Sequence, residues 1–119
     1  MTLATAFFGL LLCVIDGARA TRASLDPSRT VQRIAFGSCN KQSKPQPMWD
    51  AVMNRRPDLW VWLGDAIYAD SGIVLTIRRP GTLEDVKSGY ADQLANANYS
   101  RFISQVPVVG VWDDHDVGM

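Results

Sequence analysis

Three short stretches carry side chains able to do chemistry: Ser38-Cys39-Asn40, Gly64-Asp65 through Tyr68 to Asp70, and Asp113-Asp114-His115-Asp116, which holds the sole histidine of the sequence. The third places three carboxylates and an imidazole beside an apolar segment, and burying that much negative charge is costly unless cations neutralise it. A metal is the natural partner. Carboxylates bridge paired cations ~3.5–4 Å apart, a geometry that clamps a phosphoryl group and makes a hydroxide nucleophile at neutral pH. A Cys39 thiolate and a Tyr68 phenolate are strong anionic donors that favour a transition metal over Mg²⁺ or Ca²⁺.

Taken singly, each stretch has an ordinary reading. A cysteine after a strand is commonly a small buried hydrophobe, Gly-Asp is a common turn pair, Tyr68 suits a core ring with a wet hydroxyl, and an acidic run suits a solvated loop. Other chemistries are excluded by pattern. "DDHDVG" lacks the odd-position acids, the glycine register and the final glutamate of an EF-hand loop. There is no glycine-rich phosphate loop with its lysine, and no G-x-S-x-G nucleophile elbow.

What brings the three stretches together is the order of elements that must carry them. "VQRIAF" alternates and is rich in β-formers, which predicts a strand over 31–36 closed by Gly37. Pro45 and Pro47 suit the first turn of a helix over 46–55, with Met48, Val52 and Met53 along one side and Trp49 adjacent to it. Leu59–Leu63 is near-continuously apolar, as a strand covered on both faces would be. Thr82 and Asp85 form a capping pair for a helix over 83–95, along which Val86, Tyr90 and Leu94 recur at i, i+4 and i+8. A shorter helix over 98–104 and a third strand in "VPVVGVW" complete the pattern, with Pro107 among that strand's first residues. Strand, helix, strand, helices, strand implies an α/β fold with a parallel sheet. The polar stretches then fall at the C-terminal ends of all three strands, where ligands bind in open parallel sheets.

Composition bounds the partners. The chain has 119 residues, 47% hydrophobic and 20% charged, with twelve basic and twelve acidic side chains, so no net charge recruits nucleic acid or anionic lipid. Residues 1–20 read as a secretory signal, with an apolar run from Leu3 to Ile15 and Ala18-Arg19-Ala20 before the cleavage point. That run is shorter than the ~20 residues a stable membrane span requires. A secreted mature chain would begin with a flexible leader over 21–30 and leave Cys39 without an internal disulfide partner, because Cys13 departs with the signal. Asn98-Tyr99-Ser100 is a glycosylation sequon.

"FGSCNKQ", "PQPMWDAV", "PDLWVWLGDAIYAD" and "VPVVGVWDDHDVG" together resemble the N-terminal half of the alkaline phosphatase D (PhoD-like) branch of the calcineurin-like metallophosphoesterases, from about Ile34 onward. The resemblance implies the N-terminal half of a four-layer α/β/β/α metallophosphoesterase sandwich over 31–119. It also implies a two-metal site, iron with calcium or another divalent metal, that hydrolyses phosphate mono- or diesters. By position, Cys39 and Tyr68 would bind the iron, Asp65 would bridge the metals and serve catalysis, and Asp114 would bind the second metal. His115 would hydrogen-bond the phosphate or assist the leaving group. Asp113 would be a further ligand or would orient His115, Asp116 is open between such roles, and Asp70 is a loop acid, supporting or solvated. The family's further metal-binding histidines lie downstream of the position of His115. The chain is therefore expected to be a truncated N-terminal part, inactive alone. The alternative from a different class is a secreted non-catalytic protein that binds Ca²⁺ or a partner through its acidic strand edge, but such a site has no use for thiolate or phenolate donors.

Overall fold

The computed structural model describes residues 22–70, 73–74 and 77–119. The expected signal segment lies outside the described residues. The elements are β1 (Ile34–Gly37), α1 (Met48–Asn54), β2 (Leu59–Leu63), β3 (Ile73–Val74), β4 (Ile77–Arg78), α2 (Leu83–Ala95), α3 (Ala97–Ile103), β5 (Val108–Val111) and α4 (Asp114–Val117). β1, β2 and β5 form a parallel sheet in the order β1-β2-β5, in register Ile34↔Leu59 and Trp60↔Val108, so the fold is α/β. β3 and β4 pair antiparallel in the segment between β2 and α2, for which the sequence predicted no strand.

The core is aromatic. Trp49 of α1 is fully buried, with ring centroids 5.1 Å from Trp60, 5.7 Å from Trp62 and 4.7 Å from Phe102 of α3. This revises the expected apolar side of α1: Met48 is exposed, and the helix turns its largest ring inward, where it removes most area from water. In α2 the Thr82–Asp85 capping box forms as expected. Its buried positions, however, are Gly89 and Gln93, whereas Leu94 is exposed. The reason is local. A Cβ on Gly89 would sit 2.8 Å from Ile67 Cδ1, so glycine lets the helix approach the β2 loop, and the Gln93 amide is hydrogen-bonded at both its oxygen and its nitrogen where it is buried.

β2 is covered on one face only. Trp60 and Trp62 point into the core, whereas the register sets Ile34, Phe36, Leu59, Val61, Leu63, Val109 and Val111 on the opposite face. Phe36, at 67%, and Val111, at 65% exposed, show that nothing among the described residues covers it. The described residues thus build two layers, one sheet and the helices on one side. None of the described helices is long and apolar enough to cross a membrane.

Candidate metal centre

Because β1, β2 and β5 are parallel neighbours, their C-terminal ends lie along one edge, and the three polar stretches meet there. Asp65, Asp114 and His115 offer ligand atoms that all lie within 4.8 Å of one another. Cys39 Sγ stands 3.6 Å from Asp65 Oδ2. The Tyr68 ring lies over His115, centroids 4.1 Å apart and tilted by 32°, with Lys41 Nζ 5.4 Å from the Tyr68 centroid.

The backbone at this edge is held in unusual shapes. Cys39 (φ 57°) and Asp65 (φ 52°) occupy the left-handed region without being glycine, a conformation costing about 1–3 kcal/mol each and kept only where the surroundings over-determine it. Gly64, at φ 93°, admits Asp113, whose Cβ would lie 2.6 Å from any Cβ added there. The segment 65–69 is then clasped from both sides. Towards the β1 loop, Asn40 N–H donates to Asp65 C=O (2.8 Å), Asn40 Nδ2 to Ala66 C=O (3.1 Å) and Gln42 Nε2 to Tyr68 C=O (3.0 Å), while Tyr68 N–H donates to Gln42 Oε1 (2.9 Å). Towards α4, the N–H groups of Asp65 and Ile67 donate to the Asp116 carboxylate and that of Ala69 to His115 C=O.

Electrostatics and satisfaction fit a cation. Burial, then the adjacent Cys39 thiol and Asp65 carboxylate, push the Tyr68 hydroxyl up to about 12. A bound cation inverts that logic, since it stabilises the phenolate. Asp65 Oδ1 is buried with no hydrogen-bond partner among the described residues, an orphan lone pair that a cation would fill. Thiol, carboxylates, phenol and imidazole are together a donor set for a transition metal beside a harder one.

The remaining acids divide by task. Asp113 is the N-cap of α4, its Oδ1 accepting from Asp114 N–H at 2.9 Å. The atom facing His115 Nδ1, at 2.7 Å, is instead Oδ1 of Asp70, so the acid aligned with the imidazole comes from the β2 loop. Asp116 is 1% exposed and takes part in the capping box with Asp113. Its signal was present in the sequence as the D-x-x-D spacing of a capping pair. Asp70 and Gln42 left no such signal, because their contacts are long-range.

The family model described as PhoD-like phosphatase matches residues 34–118. No curated protein and no solved structure matches the chain at a significant level.

Proposed function

Because the chain belongs to the PhoD-like phosphatase family, we propose that the cluster at the sheet edge is the metal centre of a phosphoester hydrolase acting on phosphate mono- or diesters. One observation carries the reading: the buried, unpartnered Oδ1 of Asp65, with ligand atoms of Asp114 and His115 within 4.8 Å of that carboxylate. Cys39, Asp65 and Tyr68 would hold one cation, iron by the thiolate and phenolate among its donors, and Asp65 and Asp114 a second, calcium or another divalent ion. Asp113 would join them only with the acceptor capacity that its cap leaves. Such a pair supplies charge neutralisation at the phosphoryl oxygens and an activated water at neutral pH.

The side chains contribute position and protons. Asp65, held in its left-handed turn, would offer its carboxylate to both ions. His115, its Nδ1 set by Asp70 and its ring backed by Tyr68, is fixed in orientation to hydrogen-bond the phosphate or to protonate the departing alcohol. Lys41 at the rim is a cation for the ester's remaining charge. The uncovered apolar face of β1, β2 and β5 is the surface on which the second sheet of a four-layer sandwich would pack. Residues 1–20 would direct the chain out of the cell.

Hydrolysis of p-nitrophenyl phosphate and of its bis ester, with added metal and after chelation, tests the reading. Chelator-sensitive turnover of either ester is expected from a protein that joins these residues to the family's downstream histidines, and none from these residues alone. Stoichiometric metal uptake with neither ester hydrolysed by that longer protein would favour the non-catalytic binding protein.

A further inference from the structure

Asp116 is nearly inaccessible, and no ligand role proposed above uses it. Four donors converge on its carboxylate, two on each oxygen. Oδ2 accepts from Asp65 N–H at 2.7 Å and from Asp113 N–H at 3.0 Å, and Oδ1 from Ile67 N–H at 3.2 Å and from the Tyr90 hydroxyl at 3.3 Å. A carboxylate offers about four lone-pair sites and no donor, so this set fills it. It has no capacity left for a cation, unlike Asp65 a few ångströms away.

The donors come from three separate places: the β2 loop, the start of α4, and α2. The β2–β5 ladder ends at Leu63↔Val111, and the site residues Asp65 and Asp113–Asp116 follow it on the two segments. There the Asp116 side chain does what strand carbonyls do within the sheet, accepting from alternate N–H groups, 65 and 67, before His115 C=O takes over at 69. One of those N–H groups belongs to Asp65, whose left-handed backbone must be held against strain.

We infer that Asp116 is a positioning residue of the metal centre: its carboxylate ties the Asp65 turn to the Asp114–His115 helix and so sets the spacing of ligands that the two loops contribute. The inference rests on reading the cluster as a metal centre, and it makes Tyr90 of α2 a participant through its hydrogen bond. An amide at position 116 would offer one oxygen and turn an NH₂ towards N–H donors. Two of the four would lose their acceptor, and the Asp65 turn would relax.

The test is the dissociation constant for Mn²⁺, followed by the electron paramagnetic resonance of the free ion, on the full chain and its variants, with ester hydrolysis measured in parallel. Asp116→Asn should weaken Mn²⁺ binding by about 10–100-fold, the usual cost of losing a partner that supports metal ligands. Phe102→Leu, which loosens the aromatic core away from the site, is the control for general destabilisation and should bind Mn²⁺ within about twofold of the parent. Affinity in Asp116→Asn equal to the parent, or reduced no more than in Phe102→Leu, would overturn the inference. If Asp116→Asn does not fold, Tyr90→Phe decides, because it removes one donor of four. About threefold weaker binding is expected from the loss of that hydrogen bond, and an unchanged constant overturns the proposal. Mn²⁺ binding without ester hydrolysis in a protein that joins these residues to the family's downstream histidines would retire the phosphatase reading and leave this inference standing, whereas a parent chain that takes up no Mn²⁺ overturns both.

Discussion

The two sides of segment 65–69 are held by opposite chemistry. On the β1 side the partners are neutral amides: Asn40 and Gln42 grip the segment, and behind them Asn40 Nδ2 and Gln46 Nε2 donate to Gln93 Oε1, while Gln93 Nε2 and Trp49 Nε1 donate to Gln46 Oε1. On the α4 side the partner is one buried carboxylate and one carbonyl. Amides offer both donors and acceptors, so that side closes on itself and continues into the tryptophan core. A carboxylate only accepts, so the other side draws donors towards a single point next to the proposed cations. The first side therefore belongs to the stability of the fold and the second to the geometry of the site.

Trp49→Ala would strike the neutral side hardest. It empties the centre of the core and strips Gln46 Oε1 of a donor, so unfolding should become easier by about 3–5 kcal/mol, a large share of a domain's stability. Chemical denaturation measures this, and the folded fraction should still bind metal with near-parent affinity. His115→Ala acts on the other side. Turnover should fall by about 10²–10³-fold with metal retained, and by more for alkyl than for aryl phosphates, if the imidazole protonates the leaving group. Equal losses would confine His115 to phosphate binding. Asp70→Asn should reproduce the same bias at about tenfold, since it disturbs only the orientation of the ring.

Smaller effects sharpen the contrast. Gln93→Leu removes the acceptor that Gln46 Nε2 and Asn40 Nδ2 share and should cost about 1–3 kcal/mol of stability, with little change in turnover. Metal affinity should rise with pH, because a cation on Tyr68 must displace a proton that burial holds up to about 12. Each displaced proton contributes about tenfold per pH unit, which titration of metal uptake at two pH values measures. Least of all, Asp58 at the far end of the sheet accepts from the N–H groups of Gln32 and Arg33, which lowers it below the ordinary 3.8. A carboxyl depressed in the folded state contributes stability above 3.8 that is lost as pH falls through its lowered value. Asp58→Asn should therefore flatten the acid limb of the stability curve by lowering stability slightly at neutral pH and leaving it unchanged at pH values below that window, which denaturation at neutral and at acid pH measures.

Much of this was legible in the residues. Leu59–Leu63 and Leu83–Ala95 have the bounds that apolar run and capping pair predict, and the strand ends place Cys39, Asp65, Tyr68, Asp114 and His115 on one edge. What stayed hidden has a common cause. Periodicity counts apolar residues, so it selected Val86, Tyr90 and Leu94 in α2, whereas the buried side turns on Gly89 and an amide whose partners lie 47 and 53 residues away. The same limit concealed Asp70 on His115, 45 residues apart, and the four donors on Asp116. The short helix α4 was masked by its charge, because three of its first residues are the acids and histidine that read as a ligand run.

The most direct measurement is an anomalous difference map from crystals soaked in Mn²⁺. The account predicts a peak in contact with Asp65 Oδ1 and shared with Asp114, on the side of the sheet edge where Cys39 and Tyr68 stand. Manganese bound elsewhere with Asp65 Oδ1 still unpartnered, or no peak at a concentration that supports ester hydrolysis, would contradict it.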